Sequence, residues 1–420
     1  MDNLDDSAMQ EINVDFHIHS RYSGGTSRDM NIPRIAEGGE GKGLDVVGTG
    51  DATNPHWLEH LEKNLEHDGN GIYSYNNSKT RFLITAEVEG RDRVHHLLLF
   101  PDLDCARRFR DDIKGSSPDI DRDGRPRVGL SGEELVDLAN DCDAMIGPCH
   151  AFTPWTSVYK TYDSLSGCYG DNLRYVRFLE LGLSADSDMA DRIEELRDMT
   201  FMSNSDAHSP WPHRLGREFN RLLVRDLSFK EIKKAIERKN GRRFILNVGL
   251  NPREGKYHET ACTRCFLKFR ISDAIRLGRR CPECGGVIKK GVRERIGELA
   301  HGRKTVRPEH RPPYIHIVPL AEVISMAREV KTLHSPKVQA EWQTMVNEFG
   351  PEITILIDTP IADLKDYDSK IGGIIESFRN GSMLYDAGGG GRYGRPLYKK
   401  PLRENFYDNT QKSLRDFQNI

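Results

Sequence analysis

Two short histidine motifs, almost two hundred residues apart, constrain this chain more than anything else in it. Asp15-Phe16-His17-Ile18-His19-Ser20 alternates apolar and polar residues as a strand does. Side chains at i and i+2 of a strand leave on one face, so His17 and His19 project together, as two ligands of one metal site must. The second motif, Ser205-Asp206-Ala207-His208, follows the apolar run Met199-Thr200-Phe201-Met202. For both pairs to serve one centre, the intervening chain must bring its first and last strands together. That predicts a closed α/β layer.

The segment between the motifs reads accordingly. Candidate strands are Leu44–Thr49, Arg81–Glu87, Val94–Phe100, Ala144–Pro148, Phe178–Leu183, Thr200–Asn204 and Arg243–Val248. Helical signals sit between several of them. Ser131-Gly132-Glu133-Glu134 is a capping box ahead of Leu135 and Leu138, and Ser228 with Glu231 opens another helix. Alternating β and α elements argue for a mostly parallel sheet or barrel, with functional residues at the C-terminal ends of the strands. Asp51, Glu87, His150 and Asp206 each stand just past an apolar strand.

The candidate ligands are His17, His19, Asp51, Glu87, His150, Asp206, His208 and one of the adjacent pair His95 and His96. Zinc takes four ligands, so this set suits two or three metals bridged by carboxylates, with Glu87 and Asp206 the central acids. Paired metals clamp the oxygens of a phosphoryl group and activate water, so phosphoester hydrolysis is the expected chemistry. His56 and His213 read as loop histidines.

Cys262-x2-Cys265 and Cys281-x2-Cys284, separated by fifteen residues, have the spacing of a four-thiolate structural Zn2+ site. Cys105, Cys142, Cys149 and Cys168 are scattered, as reduced thiols are. Charge is concentrated around the cysteine pairs. From Cys262 to Tyr314 there are 14 Lys/Arg against 5 Asp/Glu, a net of +9, so a chain of net charge −3 carries −12 elsewhere. A basic segment in an acidic chain predicts a polyanionic partner. Arg264, Arg279, Arg280, Lys289 and Lys290 are its candidate phosphate contacts. Trp155, Tyr159 and Tyr162 form an aromatic loop that could stack on bases or pack within itself. Gly388–Gly394, with Arg392, reads either as an anion nest or as a flexible loop.

Of the 420 residues, 37% are hydrophobic and 30% charged, and no apolar run approaches the ~18 residues of a membrane span. No membrane association and a cytoplasmic location are expected. Past the basic segment, Ser335 and Pro336 open a helix carrying Val338, Trp342, Met345 and Val346. Ile353–Ile357 reads as a short buried strand and Ile371–Phe378 as a further helix.

The motifs at 15–20 and 206–208, with Asp51 and Glu87, resemble the polymerase and histidinol phosphatase (PHP) family. That resemblance implies a distorted (β/α)7 barrel with a two- or three-metal phosphoesterase site holding Zn2+, Mg2+ or Mn2+. It also favours His96 over His95, because the family's histidine opens an H-x-L-x-L-like strand. Two positions depart from the family pattern: Ala52 follows Asp51 where many members have histidine, and Gly25 stands where many have a further histidine. One metal position is thereby in question, with His56 a substitute.

Longer strings narrow the resemblance. They are His150–Trp155, Glu180–Asp186, Ser203–Pro210, Leu215–Asn220, Pro252–His258, the cysteine pairs and the glycine run. Together they resemble the endonuclease Q family of DNA-repair nucleases. This implies cleavage 5′ to deaminated bases (hypoxanthine, uracil, xanthine) or abasic sites. DNA containing these lesions would be the partner, with replication or repair proteins as further ones. Glu87 and Asp206 would be the catalytic acids. The implied organisation is a PHP domain over 1–257, a four-cysteine zinc-binding domain with basic linker over 258–312, and a small α/β DNA-binding domain and tail over 313–420. The competing readings are a PHP phosphatase for small phosphomonoesters and a non-catalytic zinc-dependent DNA-binding protein.

Overall fold

The computed structural model describes residues 9–398, so the end of the predicted C-terminal tail lies outside the described residues. Seven strands form a ring: β1 (Gln10–Asp15), β2 (Val46–Gly48), β3 (Arg81–Glu89), β4 (His95–Phe100), β5 (Met145–Pro148), β6 (Phe178–Glu180) and β7 (Thr200–Met202). β1, β2 and β3 run parallel. β4 is antiparallel to both β3 and β5, and β6 pairs with β7 in parallel. No ladder joins β5 to β6; there the contact is carried by the Ala151 amide donating to the Glu180 carbonyl, 2.9 Å. Past β7, a parallel bridge between Ala207 and Ile18 returns the ring to its start.

Side-chain alternation sorts the strands into two cores. Ile12, Val14, Val46, Leu83, Leu97, Leu99, Met145, Phe178 and Met202 form one cluster, to which all seven strands contribute. Only the inside of the ring can collect such a set. Their neighbours Val47, Ile84, Leu98, Ile146, Leu179 and Phe201 belong to the larger cluster between strands and surrounding helices. Phe229 and Ile232 of the helix Phe229–Glu237 pack into the inner cluster.

The succession departs from regular β/α alternation. Only five residues separate β3 from β4, and Gly90 donates to the Val94 carbonyl to make a tight turn. A parallel crossover needs a dozen or more residues, so these strands must be antiparallel. The sheet also extends beyond the ring. β8 (Phe219–Val224), a strand not foreseen from the sequence, runs antiparallel to β1. β9 (Arg243–Gly249) follows it, and β10 (Tyr314–His316) adds in parallel.

The expected helix caps form. Ser131 and Glu134 exchange both hydrogen bonds at the start of Gly132–Asp141, and Ser335 caps Pro336–Phe349. The expected strand Ile353–Ile357 is instead part of a wide helical turn, Thr354–Asp358, in which Thr359 donates to Thr354. A run of five residues, four of them apolar, carries too little periodicity to separate strand from helix. Between residues 320 and 379 the described structure is helical.

A buried ion pair ties these helices to the ring. Lys42 Nζ lies 2.6 Å from Glu352 Oε1, both side chains essentially inaccessible. Glu352 also accepts from Trp342 Nε1 at 2.6 Å and from the Leu320 amide at 3.1 Å. Removing one member of such a pair strands a buried charge and costs about 3–5 kcal/mol.

Candidate metal centre and the cleft beside it

The ligand-type residues gather at one end of the ring. β1 stops at Asp15, so the H-x-H segment lies just past the ladder, held by the Ile18–Ala207 bridge. Asp15 anchors this junction: it accepts from the Ser205 hydroxyl (2.5 Å), the Ser205 amide (3.1 Å) and the Gly216 amide (3.0 Å). The two motifs are thus joined through backbone and through Asp15. Asp51, His150 and Asp206 all have positive φ, at 50°, 27° and 48°. L-residues held there store roughly 1–2 kcal/mol each, a strain typical of functional positions.

Glu87 is the hub. Its Oε2 lies 3.3 Å from His19 Nε2, 3.7 Å from His17 Nε2 and 3.3 Å from Arg125 Nη1. Its Oε1 lies 2.6 Å from His95 Nδ1 and 3.1 Å from His150 Nε2. Asp206 Oδ1 stands 3.1 Å from His19 Nε2 and 3.9 Å from His17 Nε2. His208 packs its ring 4.6 Å from that of His19 and bonds through Nδ1 to the Asp206 carbonyl, 2.9 Å.

Three histidines have the far ring nitrogen held by a carboxylate. His17 Nδ1 meets Glu180 at 2.8 Å, His19 Nδ1 meets Asp51 at 3.0 Å, and His95 Nε2 meets Glu89 at 3.1 Å. This carboxylate–histidine arrangement fixes ring orientation in metal sites. It also sets Asp51 apart from the ligand role expected of it. Its two oxygens are taken by His19, by the Ser20 amide and hydroxyl (2.7 and 2.6 Å) and by Ser23 (2.9 Å), so it orients His19.

The residues fit divalent metal. His17 Nε2, His19 Nε2 and Asp206 Oδ1 are buried, lack hydrogen-bond partners, and converge within 4.8 Å. Glu87, His95 and His150 form a second such group, and His17, Glu87 and Cys149 a third. The electrostatics agree. Burial pushes the His17 imidazole down, but Glu180 and Glu87 outweigh it and hold the group well above its ordinary value. Burial likewise opposes the charge of Glu87, yet His95 and His17 keep its carboxyl well below the usual range. Without a cation, protons fill the positions that metal ligands need, so binding metal must release them.

His96, also an expected ligand, lies outside the centre altogether. On β4, Leu97 and Leu99 face the ring interior, and His95 shares their parity. His96 faces outward with Leu98, bonds Tyr169 OH at 2.9 Å, and burial lowers its pKa to about 3. Glu180, Arg125 and Cys149 were not among the sequence candidates, and His95 was the member of its pair that the family resemblance disfavoured. Glu180 ends the apolar run of β6 in the same way that Glu87 follows that of β3, so the strand-end rule applied there would have found it. His56 stacks on Tyr22, ring centroids 5.9 Å apart, and His213 lies against His334.

A cavity of about 270 Å³ opens over the centre, lined by His95, Arg125, His150, Asp206, Trp155 and Tyr257, among others. Glu180 and Asp206 both line it, and Asp206 is the accessible one, its side chain 31% exposed. Trp155 is 55% exposed, whereas Tyr159 is fully buried and Tyr162 half-buried. Lys289 Nζ sits 3.4 Å above the Trp155 ring. Beyond Trp155, a second cavity of about 550 Å³ is lined by Lys160, Arg279, Lys289, Lys290 and Arg295.

The four cysteines converge, with all four sulfurs within 4.8 Å of one another, as a metal-binding cluster requires. Gly286 is obligatory there, since a Cβ would fall 2.8 Å from Cys262 Sγ. Arg264 and Arg280 bond carbonyls of the same ribbon. The glycine run is neither nest nor free loop. The amides of Gly388, Gly389, Gly391 and Gly394 all donate to backbone carbonyls. A Cβ on Gly390 would lie 2.2 Å from the Cys262 carbonyl oxygen. The run is packed against the ribbon, and Arg392 extends from it toward Asp386, 3.5 Å.

A model of the MJ0043 C-terminal domain matches residues 319–382. Uncharacterized protein MJ0043 of Methanocaldococcus jannaschii is 46% identical over 263 residues, which are 61% of this chain but 32% of that longer protein. Ring, histidine–carboxylate centre and cysteine ribbon together define an α/β protein with a multi-histidine metal-type centre and a four-cysteine cluster. Two solved structures match nearly end to end. The lesion-specific endonuclease PfuEndoQ of Pyrococcus furiosus has TM-score 0.89 and 47% identity, covering 98% of this chain and 99% of that one. Endonuclease Q bound to a 27-mer duplex substrate with an abasic lesion at its active site has TM-score 0.87 and 48% identity, covering 93% and 97%. The chain belongs to the endonuclease Q family.

Proposed function

We propose that this chain is a lesion-specific DNA endonuclease that hydrolyses the phosphodiester beside an abasic site or a deaminated base (hypoxanthine, uracil or xanthine). The observation that carries the reading is the convergence of the buried atoms His17 Nε2, His19 Nε2 and Asp206 Oδ1, none with a hydrogen-bond partner, beside Glu87. Family membership and the abasic duplex at the active site of one relative support DNA as the substrate.

Two or three divalent ions held by His17, His19, Glu87, His95, His150, Asp206 and His208 would supply Lewis acidity and lower the pKa of water. Glu180, Asp51 and Glu89 hold the histidines that receive them. Asp206, open to the cavity, orients the attacking water. A structural Zn2+ on Cys262, Cys265, Cys281 and Cys284 would fasten the basic ribbon beside the cleft. Trp155, Arg279, Lys289 and Lys290 contact the duplex, and a damaged base, cheaper to unstack, is the one extruded. Division into a PHP domain (1–257), a zinc-binding domain (258–312) and a C-terminal DNA-binding domain (313–420) follows from this reading, as does a cytoplasmic site of action. Among the described residues, no helix is long and apolar enough to cross a membrane.

The test is a labelled duplex carrying one abasic site, deoxyinosine or deoxyuridine, incubated with divalent metal beside an undamaged control. A nick confined to the damaged duplexes is expected, together with loss of cutting but retained binding in Asp206→Asn. Equal cutting of the control, or near wild-type cutting by Asp206→Asn, overturns the reading. Separate rates for the three lesions measure the base preference.

A further inference from the structure

Arg125 reaches the centre from a segment pinned at both ends. Gly124 donates to the Tyr22 carbonyl (3.0 Å), Pro126 accepts from the Glu89 amide (3.0 Å), and the Arg125 amide donates to the Asp123 carboxylate (3.0 Å). Proline at 126 further restricts Arg125 to extended backbone. The approach is close enough to require glycine at 124, where a Cβ would lie 2.2 Å from Asp51 Oδ2 and 2.5 Å from Ser23 Oγ. The segment therefore covers the Asp51 side of the centre.

That side offers a metal little. Asp51 has both oxygens committed, Ala52 has no ligand atom, and Gly25 faces open space. Into it projects a guanidinium whose Nη1 donates to Glu87 at 3.3 Å. The side chain is 30% exposed and lines the cavity with Asp206, His95 and His150. A guanidinium carries five N–H donors in a rigid fork matched to phosphate oxygens, so donors remain for a ligand in the cavity.

We infer that Arg125 supplies a fixed positive charge on the Asp51 side of the centre and binds a non-bridging oxygen of the scissile phosphate. This rests on the phosphodiester-cleaving reading above. The charge belongs to the chain, so chelators cannot remove it, and its position is set before substrate arrives. Glu87 holds one edge of the fork and the phosphate takes the other. Charge accumulating on the phosphoryl oxygens in the transition state meets a donor already in place.

The experiment compares wild type, Arg125→Ala and Arg125→Lys as full-length, metal-loaded protein. It measures bound metal by mass spectrometry, affinity for an abasic duplex, single-turnover cutting, and the response to millimolar guanidinium. Expected are unchanged metal content, little change in affinity, and a rate loss of about 10²–10³-fold in Arg125→Ala. Partial restoration by guanidinium in that variant alone, and an intermediate rate in Arg125→Lys, complete the pattern. Near wild-type cutting by Arg125→Ala overturns the inference. So does rate loss that accompanies lost metal, or that neither guanidinium nor lysine relieves. If wild type itself fails to cut damaged duplex, the endonuclease reading falls and takes this inference with it. If wild type cuts and Arg125→Ala cuts as fast, this inference alone falls.

Discussion

His95 and His96 differ by one step along a strand, and that step decides which reaches the centre. In β4 successive side chains point to opposite faces, so one histidine must face the ring interior and the other the helices. The run Leu97-Leu98-Leu99 is apolar on both faces, which erases the alternation that would have marked the inner one. The consequence is measurable. His95→Ala is expected to weaken metal binding about 10–100-fold, as loss of a supported position in such sites does. His96→Ala should leave metal content and cutting rate unchanged, and should lower stability by about 1–3 kcal/mol by stranding the Tyr169 hydroxyl. Metal titration and thermal melting of both variants check this; the reverse pattern would return His96 to the centre. Asp51 carries a similar lesson, since its position after β2 is visible in the sequence, whereas its hydrogen bonds to Ser20 and Ser23 are not.

At the scale of elements, local chemistry reads well where caps and spacing determine it. The Ser131–Glu134 box, the Ser335 cap and the two cysteine knuckles appear where short-range rules place them. The glycine run shows the limit of such rules. Its composition permits a nest or a loop, but contact with Cys262 and Arg253 makes it a packed strap against the ribbon. Ile353–Ile357 fails for the same reason, because tertiary neighbours choose between helix and strand for so short a run. The ribbon has only a small core of its own around Phe269 and Ile288. Cys262→Ser is therefore expected to lower Tm and weaken duplex affinity, while single-turnover cutting at saturating DNA stays within several-fold of wild type. Calorimetry and binding isotherms report the first two effects. Loss of chemistry with unchanged Tm would move the cysteine cluster into the catalytic centre.

Over the whole molecule, Trp155 from the ring and Lys289 from the ribbon meet at the rim shared by the two cavities. A duplex tracking the basic cavity toward Asp206 would cross this pair. Lys289→Ala should weaken binding across sequences and reduce the slope of log affinity against log salt by about 1. Trp155→Ala should cost about 1–3 kcal/mol of binding if the indole stacks on a base. Titrations between low and physiological salt measure both, and an unchanged slope in Lys289→Ala removes that residue from the interface. By itself, the sequence determined that the ligand-type residues His17, His19, Glu87, His150 and Asp206 stand at strand ends, that four cysteines pair at knuckle spacing, and where positive charge concentrates. These depend on residue type and on spacing within single elements. Tertiary structure alone decided that His95 rather than His96 faces inward, that Glu180 and Asp51 orient His17 and His19, and that Arg125 enters from a loop outside every motif. Each of these depends on which strand neighbours which, a relation between segments up to 163 residues apart that no local pattern encodes.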